Sequence, residues 1–79
     1  MPVLSRIRGY RFEFYASDSG ERPHVHVKKN GKRAKLWLRP LVTLEYSRGY
    51  RPHEMNEIMR LVRQHEEQFI EDWNEFFAG

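Results

Sequence analysis

The stretch Arg22-Pro23-His24-Val25-His26-Val27-Lys28-Lys29 alternates two imidazoles with two valines and then runs into a pair of lysines. In an extended chain, alternate residues point to one face, so His24 and His26 project together with Cα atoms about 6.5–7 Å apart. Three chemistries fit such a pair. It can bond to the preceding loop through Asp18 or Ser17 and serve only to hold that loop. It can ligate zinc, provided a third protein ligand completes the site; Asp18 is nearest in sequence, with His53 and His65 as more distant donors. As a catalytic pair, it can supply acid and base to RNA while neighbouring Lys and Arg stabilise phosphate charge. Residue types alone leave all three open.

A second constellation consists of Lys28, Arg33, Lys35 and Arg39 with Trp37 among them. Cations spaced along a face neutralise phosphates and an indole stacks on a base, which makes these five residues nucleic-acid-binding candidates for RNA or DNA. The plainer reading is a solvated outer sheet face whose edge lysines prevent sheet-to-sheet aggregation.

Both groups depend on the strands that carry them. Tyr10, Phe12, Phe14 and Ala16 alternate with Arg11, Glu13 and Tyr15, which predicts a half-buried strand over 10–16. The polar run 17–23 follows as an exposed loop. Asn30-Gly31 is the preferred pair for a type I′ turn and joins strands over 24–29 and 32–39. A two-residue turn fixes the register, placing Lys29 opposite Lys32 and His24 opposite Trp37. Val25, Val27, Ala34, Leu36 and Leu38 then form the core face, while His24, His26, Lys28, Arg33, Lys35, Trp37 and Arg39 share the other. Residues 41–46 alternate again and predict a fourth strand.

Pro52 suits the first turn of a helix, and apolar residues recur at Met55, Ile58, Met59, Val62, Phe69, Trp73, Phe76 and Phe77. The spacing predicts one long helix over 52–77, bent around residues 65–67. The fold expected is α+β, a four-stranded antiparallel meander with the C-terminal helix packed across the valine and leucine face. Met55, Met59 and the closing aromatics are expected in the core; an uncovered aromatic end is a protein-binding surface.

Composition narrows the setting. A chain of 79 residues supports one domain, and with no cysteine neither a disulfide nor a thiolate zinc site assists its core. Its N-terminus lacks the apolar stretch of a secretory signal, and no later run is long enough to span a membrane, so a cytoplasmic protein is expected. The charge is unevenly spread: residues 1–51 carry twelve Lys and Arg against four acids, or +8, and residues 52–79 carry two against seven, or −5. Either the halves attract each other or they face different partners. Glu66, Glu67, Glu71, Asp72 and Glu75 crowd the end of the expected helix, where negative charge is unfavourable. Basic residues of the same chain are the expected neighbours.

Gly9-Tyr10-Arg11-Phe12, the segment 22–27, Ala34-Lys35-Leu36-Trp37-Leu38 and the closing Trp73-Asn74-Glu75-Phe76-Phe77 together resemble a bacterial family, domain of unknown function 4160. The resemblance covers nearly the whole chain. It implies a small protein encoded beside a second short protein, in a pair resembling toxin–antitoxin modules, and it carries over no catalytic residue. Similar sequences often place a Ser before the helix; Arg51 stands there in this chain and makes a weaker N-cap. The function expected is a non-enzymatic binding module acting through that second protein and through nucleic acid. The alternatives are a His-dependent ribonuclease toxin and a metal-binding accessory domain. No cofactor is expected beyond the candidate zinc at His24, His26 and Asp18.

Overall fold

Asn30 and Gly31 both take positive φ, 49° and 80°, the backbone that a type I′ turn requires. From that turn the computed structural model, which describes residues 3–78, builds every expected pair of the central hairpin. β3 (His24–Lys29) lies antiparallel to β4 (Lys32–Trp37), with His24 opposite Trp37, His26 opposite Lys35 and Lys29 opposite Lys32. Val25, Val27, Ala34, Leu36 and Leu38 are buried on the core face, as the alternation requires.

The sheet has five strands rather than four, in the meander order β1-β2-β3-β4-β5. β1 (Val3–Ile7) pairs with β2 (Tyr10–Glu13) around a second tight turn, in which Arg8 and Gly9 have φ of 52° and 84°. An arginine in a left-handed conformation is not a sequence signal for a hairpin, and this strand was not expected. β2 is shorter than the expected 10–16. Its ladder ends at Glu13, and Ala16–Asp18 coil into a 3-10 turn. β5 occupies Thr43–Arg48 instead of 41–46, and Glu45 is an extra residue between the Lys35–Tyr46 and Leu36–Leu44 pairs. That bulge interrupts the alternation.

The single helix expected over 52–77 is two, α1 (Pro52–Gln64) and α2 (Glu66–Phe77), separated at His65 with φ −106° and ψ 13°. A straight helix over the whole segment would measure about 39 Å, whereas a six-residue strand spans about 20 Å. Breaking at His65 lets both halves cover the sheet. α1 contributes Ile58, Leu61 and Val62 to the core, and α2 sets Phe69 against Phe12 at 5.5 Å and Trp73 against Phe14 at 5.3 Å between ring centroids. Phe76 also packs on Phe14 but stays 42% exposed, so the end of the aromatic stripe is only partly covered. At the start of α1 the Glu54 carboxylate accepts the Arg51 backbone N–H at 2.8 Å, which supplies from N3 part of what a Ser cap would have given. Tyr50, not expected as a core residue, packs against it and donates its hydroxyl to the Val27 carbonyl at 3.0 Å. Among the described residues no helix is long and apolar enough to cross a membrane.

Gly31→Val forces a β-branched residue into left-handed backbone and is expected to lower stability by about 1–2 kcal/mol. Urea denaturation followed by circular dichroism measures it; an unchanged midpoint contradicts the turn assignment.

Candidate functional site

Residues 19–23 separate the 3-10 turn from the start of β3, and the two meet through one carboxylate. Asp18 Oδ2 accepts the Tyr15 backbone N–H at 2.8 Å and lies 3.2 Å from His24 Nε2 and 3.3 Å from His26 Nε2. His24 is fully buried, and its Nδ1–H donates to the Arg22 carbonyl at 2.8 Å. Because a carbonyl can only accept, that bond fixes the ring's orientation and turns Nε2 toward Asp18. The Nε2 contact is close but not aligned as a hydrogen bond, so this buried nitrogen has no hydrogen-bond partner. Trp37, Trp73 and His26 enclose the His24 ring with centroids 5.0–5.3 Å away.

Burial by itself raises the Asp18 carboxyl, but the Tyr15 N–H and the two imidazoles outweigh it and hold the group below the ordinary aspartate range. Burial also dominates at His26, lowering it below the ordinary histidine value in spite of the nearby carboxylate. Asp18, rather than Ser17, is thus the loop residue that meets the histidines. Asp18, His24 and His26 form a group whose ligand atoms all lie within 4.8 Å of one another. His53 is exposed and His65 lies against Phe69; neither joins the group.

The five nucleic-acid candidates divide. Lys35 pairs with Glu21 at 3.1 Å, Arg39 pairs with Glu66 at the start of α2, and Trp37 donates Nε1–H to Glu45 at 2.7 Å. The Arg22 guanidinium and the Lys35 ammonium also lie against the Trp37 ring, at 4.2 and 4.6 Å from its centroid. A base stacking there must displace a cation.

Lys28 and Arg33, at the turn end of the hairpin, share a different setting. With Arg6, Arg11, Lys29 and Lys32 they line a depression of about 510 Å³ whose other walls are Gly9, Asn30 and Gly31. Six cations and no acid line it. Lys28 also reaches Glu13 at 3.1 Å and Lys32 reaches Glu54 at 3.0 Å, so part of this charge is balanced from outside the lining. Arg6, Arg11, Lys29 and Lys32 were missing from the expected set because the depression lies between two hairpin turns, and the first turn was not legible. Had β1 been recognised, the meander would have placed residues 8–9 beside residues 30–31.

A family model described as Domain of unknown function (DUF4160) matches residues 9–74. No curated protein and no solved structure matches the chain.

Glu13 anchors the cationic face from below. Buried, it accepts from the Tyr15 hydroxyl at 2.6 Å and forms ion pairs with Lys28 Nζ and Arg11 Nε, each at 3.1 Å. Burial opposes its ionisation, yet these partners together bring its carboxyl below the ordinary glutamate value. A depressed folded value means the stabilisation is complete above the ordinary value of about 4.3 and is lost as pH falls through it toward the folded one. Glu13→Gln is therefore expected to be less stable at pH 7 by about 1–3 kcal/mol. It should also lose less stability than the native chain between pH 6 and pH 3. Parallel stability curves for the two proteins contradict this role.

Proposed function

The chain belongs to that DUF4160 family, and on this footing we propose that it is a small binding module of a toxin–antitoxin-like pair, contacting nucleic-acid phosphates and a second small protein encoded alongside. The depression between the two hairpin turns carries the reading, with Arg6, Arg11, Lys28, Lys29, Lys32 and Arg33 around a concavity of about 510 Å³ free of lining acids. Such a surface attracts a polyanion by releasing condensed counterions and makes no demand on base sequence. The protein contact has different support. β5 is exposed along its whole length at the sheet edge, and Leu41, Leu44 and Tyr46 stand out in and beside it at 65%, 42% and 38% exposure. An edge strand with unpaired backbone groups and apolar side chains suits strand addition by a partner.

The ribonuclease alternative needs both histidines at a concave basic site. Neither lines the depression, and His24 is fully buried, which favours binding over acid–base cleavage.

Fluorescence anisotropy of labelled RNA and DNA oligonucleotides, repeated over a range of salt, tests the phosphate contact. Binding should weaken with a log–log slope of about −0.7 to −0.9 per phosphate neutralised. Arg6→Ala and Arg33→Ala, both exposed residues, should each reduce the slope by about one without changing the melting temperature. Failure to bind any oligonucleotide at low salt, or an unchanged slope in the double variant, rejects the reading.

A further inference from the structure

The far end of the sheet from the basic depression holds a group that the binding reading does not use. His24 Nδ1–H is committed to the Arg22 carbonyl, so in the neutral ring the lone pair sits on Nε2, fully buried and 3.2 Å from a carboxylate oxygen. His26 Nε2 meets the same oxygen at 3.3 Å. His26 can satisfy that oxygen by donating from Nε2, but the buried His24 Nε2 lone pair faces the carboxylate with no hydrogen-bond partner, and the two repel unless positive charge lies between them.

From this convergence we propose that Asp18, His24 and His26 bind one divalent transition metal of the zinc class. In a tetrahedral site with metal–ligand distances near 2.0–2.1 Å, the donor atoms are about 3.3 Å apart. Two of the three donor separations already have that length, and the third falls within 4.8 Å, so a modest rotation of the His26 ring completes the triangle. The outer contacts match those of a metal site. Arg22 C=O orients His24 and Tyr15 N–H orients Asp18, each fixing a ligand from behind.

Two imidazoles and one carboxylate select zinc-like ions over magnesium or calcium, which take oxygen donors. Three protein ligands leave a fourth place, and the His26 side chain, 14% exposed, marks where water reaches it. The bound ion would clip the 3-10 turn of Ala16–Asp18 onto the first residues of β3.

The test uses the full chain without an affinity tag, stripped with EDTA and titrated with zinc by calorimetry, with cobalt as a spectroscopic substitute. One zinc per chain should bind, cobalt should give the visible bands of tetrahedral coordination, and zinc at a hundredfold excess over Kd should raise the melting temperature by roughly 10–20 °C. Asp18→Asn keeps an oxygen for the Tyr15 N–H, and His26→Gln alters a side chain that is only partly buried; each should weaken binding by about a hundredfold or more. His53→Ala and His65→Ala should bind as the native chain does. Absence of zinc uptake overturns the site and leaves a charged imidazole–carboxylate cluster in its place. Unaltered affinity in both ligand variants, or an equal loss in His53→Ala, also overturns it. If Asp18→Asn fails to fold, His26→Gln and its cobalt spectrum decide.

Discussion

The register of the β3–β4 hairpin is the constraint on which the rest of this molecule depends. Two left-handed residues, Asn30 and Gly31, admit one pairing, and that pairing sends Val25, Val27, Ala34 and Leu36 inward. A slip of one residue would exchange the faces, burying Lys28 and Lys35 where the helices pack and exposing the valines. The same register sends His24 and His26 to one side at the loop end of β3 and Lys28 and Arg33 to that side at its turn end. One strand therefore carries the imidazole–carboxylate group at one end and part of the cationic depression at the other.

Electrostatics explains why the basic character concentrates at the turn end. Across most of the outer face an acid lies within reach of each cation: Glu21 for Lys35, Glu13 for Arg11 and Lys28, and Glu66 for Arg39. Around the two turns no acid lines the depression: Arg11, Lys28 and Lys32 are balanced from outside it by Glu13 and Glu54, whereas among the described residues no ion pair joins Arg6, Lys29 or Arg33 to an acid. The acidic second half of the chain answers this only in part. Lys32–Glu54, Arg8–Glu57 and Arg39–Glu66 tie it to the sheet, while among the described residues no ion pair joins Glu71, Asp72 or Glu75 to a cation. Breaking the helix at His65 changes the outlook for Glu66 and Glu67. They become first-turn residues of α2, where negative charge is favourable rather than costly.

How much of this was legible in the sequence varies with the kind of signal. The hairpin was fully legible because Asn-Gly and strict alternation agree. The edge strand β1 was hidden, since Val3-Leu4-Ser5-Arg6-Ile7 lacks clean alternation and Arg8, at the left-handed position of its turn, is not a turn-forming residue type. The apolar stripe of the C-terminal segment keeps its spacing through His65, so periodicity marked a bend there but not two helices. At the sites, Asp18 beside the His pair was anticipated from proximity in sequence. The occupation of Trp37 and Arg39 by Glu45 and Glu66 was not, because it depends on the bulge at Glu45 and on where α2 begins.

The division of the sheet into a phosphate-binding turn end and a separate imidazole–carboxylate end is the central claim, and amide chemical-shift mapping tests it most directly. When a short oligonucleotide is added to the labelled full chain, shifts are expected for residues 6–11 and 28–33, with residues 18–26 and 35–39 unmoved. Shifts centred on His24, His26 and Trp37, with the two turns unaffected, would contradict it.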